Sequence, residues 1–211
     1  MRVGLVLLLV AALGCASHAA PPPARGAAPS PARRGSPRTA VSATLHDVLR
    51  DDLAEDHAFA WSSGRPLAWS DFQASPPAGG AEGAKTSYTL YWVWKCRGEV
   101  FEFRAIAGFR PRQSWVKAIV LNDSTQRGTV LRHEQTHFDL AEVHARWMRR
   151  AFADLARPCA NTDAELRALA ERLAQEEQVE QRRYDAETNH GLLAAQQAAW
   201  SRNVARRLSS P

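Results

Sequence analysis

Acidic residues are missing from the first 42 positions of this 211-residue chain, which hold five arginines: Arg2, Arg25, Arg33, Arg34 and Arg38. The formal net charge of +5 therefore belongs to the N-terminal segment, and the remainder carries 22 cations against 22 anions. A balanced domain offers no bulk basic face to displace counterions from phosphates, so no nucleic-acid partner is expected. No apolar run reaches the 18 or more residues of a permanent membrane span. Cysteine is scarce, with three in the chain, and no internal repeat is visible. With 45% hydrophobic and 23% charged residues, a collagen-like, mucin-like or wholly disordered protein is excluded.

What is present at the start is an address. Arg2 followed by the apolar run 3–14 has the pattern of a secretory signal, assigned to residues 1–19. Ala12-Leu13-Gly14-Cys15 resembles a bacterial lipoprotein signal, in which the cysteine becomes the lipidated N-terminus, while Ser17-His18-Ala19 offers an ordinary cleavage site instead. The expected location is the periplasm or an outer-membrane anchor through Cys15, or alternatively free secretion, with no other membrane contact. Residues 20–42 are nearly all Pro, Ala, Gly, Ser and Arg and read as a disordered linker. Residues 43–211 form the expected folded domain. In an exported domain Cys96 and Cys159 are expected to pair, closing a loop whose chain-entropy contribution is of order 4 kcal/mol.

Within the domain, Leu45, Val48, Leu49 and Leu53 predict a short helix, and Gly64, Pro66 and residues 76–80 predict loop. β-Branched and aromatic residues at 86–94 and alternation at 99–109 predict two strands joined at Arg97-Gly98, with a third, an edge strand beside a groove, at 114–120. Trp115 is the one tryptophan singled out as a substrate contact; the others are expected in the core. Beyond Asn122 apolar residues recur at three and four, predicting a long helix ended by Pro158. A second helix opens at Thr162-Asp163-Ala164-Glu165 with a stripe of Leu166, Leu169, Leu173 and Val179, and a third spans 192–208. Glu177, Glu180 and Gln181 are read as part of a solvated face. Strands first and helices after predict an α+β fold, with the helices on one face of a small antiparallel sheet.

Inside the first long helix stands His133-Glu134-Gln135-Thr136-His137, an H-E-x-x-H pentapeptide. Residues four apart share a helical face about 6 Å apart, so two imidazoles converge on one Zn²⁺, and Glu134 stands beside them as general base for a metal-activated water. A third ligand is expected. His144 is excluded because seven residues put it about 10 Å further along the axis. Folding the two long helices antiparallel about the turn near Pro158 brings Gln135 opposite Tyr184, where the sequence reads Tyr184-Asp185-Ala186-Glu187-Thr188-Asn189-His190-Gly191. His190 is the first choice as ligand, with Glu187 and Asp185 behind it, and Tyr184 is placed as a hydrogen-bond donor to an oxyanion.

Taken together, Trp69-Ser70-Asp71-Phe72, Phe109-Arg110-Pro111 with Ser114-Trp115-Val116, Leu131-Arg132 leading into His133-Glu134-Gln135-Thr136-His137-Phe138-Asp139-Leu140-Ala141-Glu142, and the segment from Tyr184 to Gly191 resemble the bacterial domain of unknown function 922. The resemblance covers roughly residues 59–200. Members are described as predicted secreted zinc-dependent proteases, so it implies a zincin-like exported protein. The function expected is thus a zinc-dependent metallohydrolase, a metalloprotease acting on a peptide or protein substrate, cell-wall peptide included. The rivals are a non-catalytic envelope binding protein, with or without zinc, and a peptidoglycan amidase.

Overall fold

The computed structural model describes residues 3–7 and 44–210. Cys15 and the linker at 20–42 lie outside them, and of the expected signal segment only strand β1, Val3–Leu7, is described. Helix α1, Leu45–Glu55, starts at Thr44, whose side chain accepts from the Asp47 amide while the Asp47 carboxylate accepts from the Thr44 amide. Strands β2 (Phe59–Ala60), β4 (Tyr88–Arg97) and β5 (Val100–Phe109) join β1 in an antiparallel sheet of order β1-β4-β5-β2. β4 and β5 form a hairpin from Tyr88↔Phe109 to Arg97↔Val100, turning at Gly98, whose φ of +61° suits the left-handed start of a two-residue turn. At Gly108 a Cβ would lie 2.5 Å from the Tyr91 ring and 2.7 Å from Leu53, so only glycine fits there.

Both faces of this hairpin are covered. Leu90, Trp92 and Trp94 point to a core shared with Phe138 and Phe152, while Tyr91 and Val93 pack with Leu45 and Leu49 of α1 on the other side. That explains the unbroken apolar run in β4, since a strand buried on both faces loses its alternation. The helices therefore do not all share one face, as the sequence led us to expect. α1 takes the opposite one.

The expected strand at 114–120 is shorter than its composition suggests. Only β6, Trp115–Val116, is extended; it pairs with β3, Ala84–Lys85, and touches Ala74 on its other side. From α2, Ala118–Asn122, the chain is already helical. Flanked on both sides, β6 is not an edge strand. Trp115 is buried between its neighbours, at 7% exposure, which removes it as a substrate contact.

Three helices complete the fold: α3, Ser124–Ala153; α4, Asp163–Thr188; and α5, Ala194–Ser209. Asp123 caps α3 by accepting from the amides of Thr125 and Gln126. α3 lies on the sheet, with Phe152 stacked on Phe103 at a centroid distance of 3.9 Å. α4 returns antiparallel to α3, so that His133 meets Tyr184 and His137 meets Gln181. α5 then runs alongside α3 in the same direction, from Gln197 beside His133 to Leu208 beside Arg146. The architecture is α+β. No helix among the described residues is long and apolar enough to cross a membrane.

Two locks, one covalent and one polar, fix the course of the helices. The Cys96–Cys159 disulfide, closing 63 residues, ties the end of β4 to the turn between α3 and α4. Further along, Glu180 accepts from His144 Nε2 at 2.7 Å and from both terminal nitrogens of Arg207, at 2.7 and 2.9 Å, so one carboxylate joins α3, α4 and α5.

Replacing both cysteines by serine is expected to lower unfolding free energy by about 2–4 kcal/mol in urea titrations; unchanged stability would show that the crosslink leaves the unfolded chain unconstrained. The Glu180 lock carries a pH signature. Burial raises its pKa, but the hydrogen bond from His144 and the Arg207 guanidinium outweigh this and bring it down to about 2. A depressed carboxylate contributes stability above its ordinary value, 4.5, and loses it as pH falls through the folded value. The Glu180→Gln variant is expected to lose stability at pH 7 by about 1–3 kcal/mol and to show a flatter decline between pH 4.5 and 2 than wild type in thermal melts.

Candidate metal centre

The middle of α3 contains no glycine or proline, so the five residues from His133 to His137 keep helical spacing and the two histidines stand one turn apart. Both rings face α4. The His133 and His137 Nε2 atoms are 3.1 Å apart, and Asp185 Oδ1, from the last turn of α4, lies 3.1 Å from the first and 2.9 Å from the second. Four tetrahedral ligands at 2.0–2.1 Å from a zinc ion lie about 3.4 Å from one another, so a triangle of this size is close to one face of such a site. Asp185 Oδ1 is buried and makes no hydrogen bond, although two ring nitrogens stand within 3.1 Å. His133, His137 and Asp185 are thus a group that could hold a metal ion.

The far side of each ring shows why the lone pairs point inward. His133 Nδ1 lies 3.1 Å from Gln197 Oε1, and His137 Nδ1 lies 2.6 Å from Gln181 Oε1. A ring nitrogen facing a carbonyl oxygen must carry the proton, which leaves Nε2 of each neutral ring bare. Charge agrees with geometry. Burial raises the Asp185 carboxyl, but the two imidazoles beside it more than offset this and hold it well below the usual carboxylate range. Burial lowers His137, yet Asp185, Glu134 and Gln181 together lift it to about 9.

Glu134 is 4% exposed, and its Oε2 accepts the Thr86 amide at 2.7 Å, while the Thr86 hydroxyl donates to the Glu134 carbonyl at 3.2 Å. The residue linking β3 to β4 therefore fixes the carboxylate beside His133. Tyr184 is fully buried and stacks on the His133 ring at 4.8 Å, with its hydroxyl donating to Gln197 Oε1 at 2.8 Å and towards the His133 carbonyl at 3.2 Å. Burial keeps that phenol well above its ordinary pKa and protonated. The structure thus places Tyr184 behind the histidine instead of on the solvent side where an oxyanion would form.

His190 is not one of the three and lies at the exposed rim beside Asp185. Its Nδ1 is 3.7 Å from Asp185 Oδ1 and its side chain is 62% exposed. The backbone explains its position, because Asn189, His190 and Gly191 all have positive φ, of 47°, 52° and 82°, turning the chain sharply after α4. Gly191 is required by contact as well as by φ, since a Cβ there would come 3.0 Å from His133 Cβ and 3.1 Å from its Cγ. Glu187 lies away from the centre, paired with Trp200 and Arg183. His144, 2% exposed, is held by Glu180, consistent with its exclusion as a ligand.

Sequence reasoning missed Gln181, Gln197, Thr86 and Glu177. For α4 the signal was there: the buried residues Leu166, Ala170, Ala174, Glu177, Gln181, Tyr184 and Thr188 form one stripe at three and four, so Glu177 and Gln181 stand in the core register. Weighting them as polar displaced the stripe onto Val179, which is 57% exposed. Thr86 and Gln197 carried no such signal.

An α+β scaffold with an H-E-x-x-H helix, a carboxylate from the antiparallel helix and hydrogen-bonded histidines defines a protein with a candidate metal centre. The chain belongs to a family of bacterial proteins of unknown function (DUF922), whose family model matches residues 62–191 and so takes in all but Gln197 among these residues. No curated protein and no solved structure matches it.

The triangle makes a distinct prediction for the two candidate third ligands. Asp185→Ala is expected to weaken zinc binding by more than the roughly 10–100-fold that loss of an outer hydrogen-bond partner costs, while His190→Ala leaves it nearly unchanged. Chelator competition on the folded variants reads both, and the reverse order would assign the ligand to His190.

Proposed function

We propose that this protein is an exported zinc-dependent metallohydrolase, a peptidase, with His133, His137 and Asp185 as metal ligands and Glu134 as general base. The observation that carries this reading is the convergence of two imidazole nitrogens and a carboxylate oxygen within 3.1 Å of one another, with the carboxylate of the adjoining residue, Glu134, held by Thr86. Two imidazole nitrogens and one carboxylate oxygen match the donor set of catalytic zinc sites, which keep a further position open. Zinc held there would supply Lewis acidity towards a substrate carbonyl and make an adjacent water more acidic. Glu134 then takes the proton of the attacking water and delivers it to the leaving amine, a role suited to a carboxylate whose orientation the Thr86 amide has already fixed. Tyr184 positions the His133 ring and its carbonyl. His190, exposed at the rim, is free to contact substrate.

The disulfide is compatible with an exported protein, because such bonds persist in oxidising compartments. In this reading the protein works in the cell envelope or outside the cell, on unfolded protein or on cell-wall peptide.

Zinc-loaded wild type is expected to hydrolyse an unfolded protein substrate, and Glu134→Gln to lose about 10²–10⁴-fold in kcat while keeping its zinc. Parallel digestion of cell-wall sacculi separates a peptidase from a peptidoglycan amidase. Zinc binding by both proteins with hydrolysis by neither would assign the centre to a non-catalytic role.

A further inference from the structure

A glutamine side chain has an acceptor end and a donor end of nearly the same shape, and which end faces His137 decides whether that ring can bind a metal. With Oε1 of Gln181 against Nδ1, the ring proton sits on Nδ1 and Nε2 keeps its lone pair. With the amide nitrogen there instead, Nδ1 would have to accept, and a neutral ring would carry its proton on Nε2, between itself and the ion. Something must therefore hold Gln181 the right way round.

Its amide nitrogen donates to the His137 carbonyl at 2.9 Å and to Glu177 Oε1 at 2.7 Å, beside the Tyr88 hydroxyl. A carbonyl cannot donate. Glu177 Oε1 is engaged as an acceptor too, because it also receives the Tyr88 hydroxyl at 2.6 Å. Two acceptors around one end of the amide leave the oxygen no place except against His137. The equivalent residue on His133 is set differently: the Gln197 amide nitrogen faces the hydroxyls of Ser201, at 3.1 Å, and Thr136, at 3.5 Å, and a hydroxyl can donate or accept. Only the Gln181 side is locked by a carboxylate.

Glu177 is an expensive residue to keep. It is 0% exposed, in the middle of α4, and its second oxygen is buried without a hydrogen-bond partner. Replacing a buried carboxylate by an apolar side chain of similar size is often neutral or stabilising, so packing alone does not account for it. We propose that Glu177, backed by Tyr88, is a positioning residue that fixes the amide of Gln181 and through it the metal-binding tautomer of His137. The proposal rests on the reading of His137 as a metal ligand.

The test uses the full chain with Glu177→Gln and Glu177→Met, checked for folding by circular dichroism and thermal melting. Zinc affinity is measured by competition with a chromophoric chelator. The proton positions of His137 are read from ¹⁵N–¹H correlation spectra, in the zinc-loaded form and in the zinc-free form at a pH above its titration. Both variants are expected to fold and to bind zinc about 10–100-fold more weakly, with the His137 signal shifting from pure Nδ1–H towards a mixture of tautomers in the zinc-free form. Glu177→Met is the stricter variant, because glutamine can still offer an oxygen to Gln181. Wild-type affinity and pure Nδ1–H in Glu177→Met would overturn the proposal, as would weakened binding with an unchanged tautomer. If the wild type binds no zinc, the metal-centre reading falls, and the zinc-free tautomer spectra still decide what Glu177 does.

Discussion

The His133 and His137 Nε2 atoms and Asp185 Oδ1 come within 3.1 Å of one another because two helices cross where they do. His133 and His137 are one helical turn apart and cannot separate without breaking α3, and Asp185 is delivered by α4, whose course is fixed by the Cys96–Cys159 crosslink at one end and the Glu180 lock beyond its middle. The crossing of α3 and α4 is thus the constraint from which the rest follows. If the helices slid by one turn, Asp185 would leave the triangle, Gln181 would leave His137, and Glu180 would leave His144.

That constraint also explains why so much polar chemistry is buried in a modest domain. Seen from the sheet outward, α3 presents Phe138 and Phe152 to β4 and β5, and its histidines to α4 and α5. The aromatic layer on one side gives the helix a rigid seat, and on the other the two histidine rings are held by glutamines that each bridge several groups. Glutamine suits this task because it is neutral. A carboxylate in its place would add further negative charge against Asp185 and Glu134, whereas an amide accepts the imidazole proton and passes its own donors to the helix carbonyl and to neighbouring side chains. The one carboxyl group of this hydrogen-bond chain, Glu177, which burial pushes up in pKa, is kept two residues removed from the centre.

How far the sequence reveals this differs from residue to residue, for physical reasons. The histidine pair is visible because its spacing is set by helical geometry alone, and the opposing segment is visible because an antiparallel return about Pro158 is simple counting. Within that segment, Asp185 and His190 are separated by a feature that spacing does not show: α4 ends at Thr188, and the left-handed turn through Asn189 and His190 swings the latter outward. The sheet was legible as a hairpin, but the second face covered by α1 was not, since an apolar run is equally compatible with one buried face and with two. β6 failed for a related reason. Trp115, Val116, Ile119 and Val120 suit a strand, yet Lys117 closes the extended stretch and α2 begins at Ala118, so tertiary packing against α3 overrode composition.

The polar residues of α4 show where pattern reading has to change. A stripe search that counts only apolar side chains assumes that burial and polarity exclude each other, which holds for most helices because an unpaired buried polar group is costly. Near a metal centre the assumption inverts. Rings that could bind a metal need acceptors behind them, an acceptor amide is in turn oriented by acceptors around its donor end, and in α4 both steps, Gln181 and Glu177, are taken in the same helical register as the core. A Glu or Gln falling in phase with the buried alanines of a helix opposite an H-E-x-x-H segment is therefore better read as an outer support of the site than as a solvated face. In this chain that reading recovers Gln181 and Glu177 from the sequence without any further signal.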